Sequence, residues 1–301
     1  MSIIRFLKSL REAIIERLIQ VAGLLAILFV LLILIFLLRD GLPALQSTSL
    51  GALFGGRLWS PTFDPPKFGL LPLILGSLYV TVGALVVAVP LGLACAIFIS
   101  EVAPAGLREV LKPGVELLAA VPSVIFGFIG LFLVGPWLQQ ELQLSIGHFA
   151  GLGALLLAFM ALPTIVSVSE DALRAMPLAF RQNSLALGAT EWQTIRRVTV
   201  PAARSGIIAA MLLGMGRAIG ETMTVLMVTG NAPVIPQGLQ GFLRPVRTLT
   251  ATIAAEMGEV AGGSPHYHVL FLIGLLLLLI TLAVNLGADA ILRRTGRTHQ
   301  A

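Results

Sequence analysis

Residues 216–223 read GRAIGETM and place a positive charge, Arg217, four positions before a carboxylate, Glu221, inside an apolar segment. Positions i and i+4 share one helical face, so the sequence predicts an ion pair that faces away from lipid. A guanidinium presents several planar donors and stays charged, which suits a tetrahedral oxyanion. The pattern therefore permits two roles. Arg217 contacts an anion in a translocation path while Glu221 tempers its charge, or the pair is purely structural.

Hydroxyl side chains are further candidates for such a path. Thr222 follows Glu221 directly, although a hydroxyl in a span often bonds to its own helix. Ser123 comes after Pro122, and Thr164 comes after Pro163. Proline within a span frees a backbone carbonyl that must be satisfied elsewhere. The two proline pairs predict kinked gates that line the path, or hinges that touch no ligand.

The composition places the elements that carry these residues in a membrane. The chain has 301 residues, of which 57% are hydrophobic and 12% charged, whereas soluble domains have about 25% charged residues. A bilayer span needs roughly 20 mostly apolar residues. No basic patch with interleaved aromatic residues is present, which excludes a nucleic-acid partner, and the single Cys95 excludes a disulfide framework. Six apolar runs predict six transmembrane helices in an all-α membrane protein: 19–38, 71–99, 116–138, 148–168, 206–229 and 268–291.

The basic residues predict the orientation, because Lys and Arg accumulate in cytoplasmic segments. Fourteen of the 20 Lys and Arg residues fall in the N-terminal segment, the loops 100–115 and 169–205, and the C-terminal tail. Five fall in the other loops, and the last is Arg217 itself. Both termini and the loop 169–205 are therefore predicted to be cytoplasmic, and lipid surrounds the spans.

The loop 169–205 differs from the other loops in being long and rich in helix-forming residues. Phe180, Leu185 and Trp192 alternate there with Arg and Gln, which is typical of amphipathic helices that dock on a protein partner. The same pattern also fits a connection packed against its own spans.

Residues 182–201 resemble the cytoplasmic "EAA" loop of ABC importer permeases. That motif has Glu-Ala-Ala, three intervening residues, a glycine, nine intervening residues, and then Ile-x-Leu-Pro. The spacing matches here, while Gln182-Asn183-Ser184 replaces Glu-Ala-Ala. The remaining coupling-loop residues that the resemblance selects are Gly188, Ala189, Trp192 and Pro201.

A longer series of motifs resembles the PstC-type permease family of phosphate ABC importers. The series includes AVPLGLACAIFISEVAP (88–104), LLAAVPSVIFGFIGL (117–131), LPTIVSVSEDALRAMP (162–177) and GRAIGETMTVLMVTGN (216–231). The resemblance implies a type I ABC importer permease fold and supports Arg217 and Glu221 as important for phosphate transport. It implies four kinds of partner: a second, PstA-type permease, two PstB-type ATPase subunits, lipid, and a PstS-type extracytoplasmic phosphate-binding protein. ATP and Mg²⁺ would belong to the ATPase subunits, so this chain is expected to be a cytoplasmic-membrane (inner-membrane) transport subunit without enzymatic activity or cofactor.

The resulting division of the chain is an N-terminal segment with one anchor helix (1–67), a transmembrane core (68–291) and a cytoplasmic tail (292–301). His266 and His268 lack a third ligand nearby, so we expect no metal site. Glu256 and Glu259 lie in an amphipathic stretch that is expected to close an outer gate, to contact the binding protein, or simply to lie at the interface. The functional alternatives are an ABC permease for phosphonate or sulfate, an ion-coupled secondary transporter that uses Glu221, and a non-transporting assembly subunit.

Overall fold

The computed structural model describes the backbone of residues 2–296 and the side chains of residues 14–291. Part of the predicted charge asymmetry depends on side chains outside that range. The residues concerned are Arg5, Lys8, Arg11, Arg293, Arg294 and Arg297, together with the rest of the tail 292–301.

The predicted all-helical class is confirmed. Five helices are long and apolar enough to cross a membrane, and a sixth crossing results if two helices joined at a bend of 68° are counted together. That bent pair is Glu191–Ala202 with Arg204–Gly220. The five continuous candidates are Ile14–Ser47, Leu71–Val102, Ser123–Glu141, Ala150–Arg174 and Pro265–Ile291.

The first half of the chain contains a small hairpin between helices. Its two strands are antiparallel and place Trp59 opposite Phe68. The elements are α1 (Ser2–Gly41), α2 (Ala44–Ser47), α3 (Leu50–Gly55), β1 (Trp59–Ser60), β2 (Lys67–Phe68), α4 (Leu71–Ile97) with a π-helical end (Phe98–Val102), α5 (Ala105–Ala120), α6 (Ser123–Ile129), a π-helical turn (Gly130–Val134) and α7 (Gly135–Glu141).

The second half contains the two segments that carry most of the predicted site residues, the loop after α8 and the broken helix α12–α13. The elements are α8 (Ala150–Arg174), α9 (Leu178–Ala186), α10 (Glu191–Thr194), a π-helical turn (Ile195–Thr199), α11 (Val200–Ala202), α12 (Arg204–Gly220), α13 (Met223–Val228), a 3₁₀ turn (Leu239–Leu243), α14 (Leu249–Glu256) and α15 (Pro265–Gly296). We call the end of the bundle that carries residues 175–203 the loop end.

Prolines mark several helix starts, because proline lacks the N–H that a helix interior requires. Pro104, Pro122 and Pro177 each directly precede a helix. The predicted span 116–138 is therefore wrong at its start: α5 ends at Ala120, and the membrane helix begins only after Pro122. None of the sixteen residues of α5 is buried.

Small side chains allow α4, α8 and α12 to approach closely in the core. Ala84, Ala88 and Ala158 are buried where α4 meets α8. Ile165 of α8 fills the space between two glycines, one on each neighbouring helix. A Cβ atom built on Gly92 would lie 2.7 Å from the Ile165 side chain, and one on Gly214 would lie 2.6 Å from it.

A second apolar cluster holds the end of the bundle opposite the loop end. It brings the β-hairpin against α14 and α15, with Trp59, Phe68, Leu249 and Ile273 all buried. Helix α1 joins this cluster through its last turns, whereas residues 14–33 of α1 are exposed in the single chain.

Gly92→Val should destabilise the fold, because the added carbons overlap Ile165 and overpacking costs about 1–3 kcal/mol. Thermal unfolding of the purified chain in detergent should show a lower midpoint. Gly23→Val is the matched control, since a Cβ atom there meets nothing within 4 Å. Equal midpoints for the two variants would contradict the close packing of α4 on α8.

Candidate translocation path and coupling surface

The span that carries Arg217 breaks immediately after it. Helix α12 ends at Gly220, and Glu221 has an extended backbone with φ −70° and ψ 131°. Helix α13 starts two residues later at Met223. Residues 217 and 221 therefore do not share a helical face in this structure.

The predicted ion pair between Arg217 and Glu221 is wrong for this reason. The Glu221 side chain instead accepts a hydrogen bond from the Thr224 backbone N–H at 3.3 Å, at the start of α13. The first N–H groups of a helix lack partners within that helix, and a carboxylate there also meets the favourable end of the helix dipole. No ion pair among the described side chains involves Arg217 or Glu221.

Arg217 is exposed on the surface of the single chain, near the end of a membrane-spanning segment. Its exposed neighbours one turn away on α12 are Leu213 and Gly220. An unpaired charge in contact with lipid costs at least about 2.5 kcal/mol on insertion scales. This surface is therefore suited to face water or another protein chain.

Hydroxyl groups surround the break on the side away from Arg217. Thr250 Oγ1 donates to the Glu221 carbonyl at 2.9 Å, Thr248 Oγ1 lies 3.2 Å from Thr250 Oγ1, and the Leu249 N–H donates to Ser77 Oγ at 2.8 Å. The cavity between these residues measures about 10 Å³, which is room for one water molecule at most. An oxyanion does not fit there, so the cluster supports the backbone of the break.

The cluster Ser77, Thr81, Thr248 and Thr250 was not predicted to be functional. The available signal was the hydroxyl-rich segment TLTAT at residues 248–252. Of the three alternatives for this stretch, a simple interfacial helix is wrong for its first turn, because the first four residues of α14 are buried. Tertiary contacts with α4 and α13 place that helix inside the bundle.

The structure places Ser123 and Thr222 at the same break. The fully buried Thr224 donates through Oγ1 to the Ser123 carbonyl at 2.9 Å, and Thr222 Oγ1 donates to the Gly220 carbonyl at 3.3 Å. Thr164 is half-buried in α8, and no hydrogen bond among the described residues joins it to Arg217 or Glu221.

Of the two predicted proline kinks, the one at Pro122 is wrong. Pro122 lies between helices α5 and α6, where it caps α6 rather than bending a span. Pro163 is inside α8, which continues through it from Ala150 to Arg174.

At the end opposite the loop end, Glu256 joins three elements. Its carboxylate accepts from Trp59 Nε1 at 3.1 Å and pairs with Arg247 at 2.8 Å and with His266 at 2.8 Å. His268 Nδ1 lies 2.7 Å from the Asp40 carbonyl. Glu256 thus fixes the hairpin and the start of α15 on α14, and the described residues hold no group of three potential metal ligands.

The coupling loop forms a helix–turn–helix. Helix α9 ends at Ala186, the chain turns at Gly188 with φ +85°, and Thr190 starts α10 with a capping box to Gln193. A residue with a side chain rarely adopts positive φ, so glycine suits this turn. Ser184 Oγ lies 2.9 Å from Thr194 Oγ1 and joins the two arms.

Most of the predicted coupling residues are accessible on this loop. Gln182, Asn183, Gly188, Trp192 and Pro201 are exposed, while Ser184 and Ala189 are half-buried. Large apolar side chains accompany them on the surface, with Leu187 90% exposed and Trp192 63% exposed. The exposed large apolar side chains of the loop are Leu178, Phe180, Leu185, Leu187 and Trp192. Such a patch is typical of a protein interaction site.

Sequence comparison assigns the family. Residues 88–297 match the model of the inner membrane component of binding-protein-dependent transport systems. The chain belongs to this family. It is therefore a multi-pass membrane permease subunit of an ABC importer.

Curated relatives cover most of the chain. It is 44% identical over 223 residues to a probable ABC transporter permease, YqgH, of Bacillus subtilis, covering 74% of this chain and 71% of the relative. It is 38% identical over 255 residues to the phosphate transport system permease PstC of Mesorhizobium japonicum, covering 78% and 76%. It is 35% identical over 252 residues to PstC 1 of Mycobacterium tuberculosis, covering 77% and 74%.

Solved structures of other importers confirm the predicted type I importer permease fold. An inward-facing MetNI methionine ABC transporter has a TM-score of 0.57 at 19% identity, covering 75% of this chain and 95% of that chain. A bacterial alginate ABC transporter has a TM-score of 0.53 at 18% identity, covering 74% and 78%. These similarities establish the fold alone.

Thr224→Val should destabilise the break, because it removes the hydrogen bond from the buried Thr224 hydroxyl to the Ser123 carbonyl, worth about 0.5–1.5 kcal/mol. Thr222→Val is the matched control, since Thr222 is half-buried and makes only the longer local bond. Thermal unfolding of both variants in detergent measures the difference. If Thr222→Val is the more destabilising of the two, Thr224 does not hold α13 against α6.

Proposed function

We propose that this chain is the permease half of an ATP-driven importer of inorganic phosphate. The proposal depends on one observation: Arg217 is exposed on a membrane-spanning segment and has no ion-pair partner among the described residues. Phosphate is the substrate named for several relatives that are 33–38% identical to this chain. A guanidinium suits that anion through paired, charge-assisted hydrogen bonds.

The exposed surface around Arg217 is where a second, similar permease chain would complete the path. Leu213, one turn earlier on α12, would supply an apolar contact on that surface, and Arg217 would face the anion rather than lipid. Because Glu221 caps α13 instead of pairing with Arg217, the guanidinium keeps its full hydrogen-bonding capacity for the substrate. Release would then follow from a change in the position of the second chain.

The two ends of the bundle would bind different protein partners. The apolar patch of the coupling loop would dock on an ATPase subunit, one on each permease chain, and those subunits would bind ATP and Mg²⁺. The opposite end would receive the anion from an extracytoplasmic binding protein. This arrangement puts the loop end and both termini in the cytoplasm. ATP-driven closure of the ATPase pair would move the coupling loops and rock the spans between inward- and outward-facing states.

Arg217→Ala should lower phosphate uptake about ten- to hundredfold or more, because a charged hydrogen-bond donor set is lost. Uptake of phosphate would be measured in proteoliposomes that contain the two permeases, the ATPase and the binding protein. Leu91→Ala, which truncates an exposed apolar side chain on α4 without changing a charge, is the control and should transport. Arg217→Lys should be intermediate, since it keeps the charge but loses the planar donors.

Several outcomes of that assay would contradict the proposal. Arg217→Ala complexes that fail to assemble would indicate a structural role for the arginine. Uptake of phosphonate or sulfate in preference to phosphate would change the substrate. Uptake driven by a proton gradient without ATP would replace the ABC mechanism by ion coupling.

Gly188→Val should weaken docking of the ATPase about tenfold, because a β-branched residue at φ +85° strains the turn by roughly 1–2 kcal/mol. Nothing lies within 4 Å of a Cβ atom at Gly188, so the effect comes from the backbone and not from a clash. Co-purification of the ATPase with the permease pair measures docking. Ala186→Val, on the exposed end of α9, is the control, and equal co-purification of the two variants would contradict a role for the turn.

A further inference from the structure

Helix α9, the first arm of the coupling loop, is attached to the bundle in an unusual way. None of its nine residues is buried, so apolar packing does not hold it in place. The Arg181 side chain extends from this helix to Glu101, at the π-helical end of α4, and its Nη2 atom lies 2.5 Å from Glu101 Oε1. Arg181 also donates to the Leu173 carbonyl in the last turn of α8 at 3.1 Å.

The pair is well shielded from water. The Glu101 side chain is 6% exposed and the Arg181 side chain 25% exposed. Removing one partner of such a pair leaves an uncompensated charge, which is far more damaging than loss of a surface ion pair. The contact joins residues 80 positions apart and thus links the loop to a span that is not its neighbour in sequence.

Two more cations fix the place where Arg181 binds. Arg108 of α5 donates to the carbonyls of Ile99 and Ser100 at 2.7 and 2.8 Å, which orders the segment that carries Glu101. Lys112 of α5 pairs with Glu170 at 2.7 Å and with Asp171 at 2.9 Å at the end of α8. Hydrogen bonds to Glu170 and Asp171 raise the pKa of Lys112, so that the ammonium stays charged.

The ends of α4, α5 and α8 therefore form one plate at the loop end, joined by charged contacts. Arg181 is the side chain that connects α9 to this plate through an ion pair. Displacement of α9 can reach α4 directly through that contact. Without it, motion of α9 reaches the bundle only along the chain, through residues 175–177 to α8 and through the turn at Gly188 to the second arm.

We infer that the Arg181–Glu101 pair is the mechanical link that passes ATPase movement from the coupling helix α9 to α4, making Arg181 a positioning residue for transport. This rests on the proposed function only in that the coupling loop binds an ATPase. The transported anion does not enter the inference.

The test separates ATP hydrolysis from transport in the full reconstituted complex. Arg181→Gln should retain ATPase co-purification and hydrolysis while uptake per ATP falls about tenfold or more, within the usual range of coupling between sites. Glu101→Gln should behave in the same way. The charge-exchanged double variant Arg181→Glu with Glu101→Arg should recover a large part of the uptake per ATP.

Arg174→Gln is the matched control. Arg174 also pairs with a buried carboxylate, Glu170, but that pair lies within α8 and joins no second element. It should leave the ratio of uptake to ATP hydrolysis unchanged.

An unchanged ratio in Arg181→Gln would overturn the inference, as would loss of the ATPase from that variant, which would place Arg181 in the docking surface. If the single variants do not assemble, the double variant decides, since its recovery supports the link and its failure refutes it. If phosphate is not the substrate, the result is different: the wild-type complex would hydrolyse ATP and import another anion. The ratio can then be measured with that anion.

Discussion

A membrane helix that stops inside the bundle leaves backbone groups that lipid cannot hydrogen-bond, and this constraint organises the chain around residues 220–223. The carbonyl of Glu221 is satisfied by Thr250, and the N–H of Thr224 by the Glu221 carboxylate. The Thr250 hydroxyl in turn depends on the position of α14. Thr250 is available only because α14 enters the bundle by its N-terminal end, and α14 stays there because Ser77 of α4 binds its first N–H.

The break also decides what Arg217 can do. In an unbroken helix the guanidinium would pair with a carboxylate one turn away, and the two charges would largely cancel. Here the carboxylate is turned to the next helix, and Arg217 stays on the surface of the single chain. The protein gains an available positive charge and requires a partner surface that lipid cannot supply.

The two ends of the bundle use different means of attachment. Opposite the loop end, Glu256 accepts a hydrogen bond from Trp59, which is itself buried against Phe68 in an apolar cluster, so apolar packing and charge act together there. At the loop end, α5 and α9 have no fully buried residues. Leu111 and Val115 of α5 pack against an apolar cluster at the ends of α4 and α8, whereas the Arg181 ion pair attaches α9. Charged contacts can re-form after a shift of a few ångströms, whereas close-packed cores cannot deform continuously. The attachment of α9 is therefore a contact that can re-form after such a shift.

The sequence by itself determined the class of the protein and the positions of most of its spans, because the bilayer requires long apolar runs whatever the partners are. It also determined the turn at Gly188, since only local backbone freedom is needed there. It did not determine whether the helix continues past Gly220, because that depends on hydroxyl groups supplied by residues 77 and 250. Nor could it show that Pro122 separates two helices or that Arg181 reaches Glu101. A hydrophobic pattern indicates whether a helix lies in lipid or in water. Only the tertiary structure decides which distant polar group hydrogen-bonds to the backbone at a helix break or neutralises a charge.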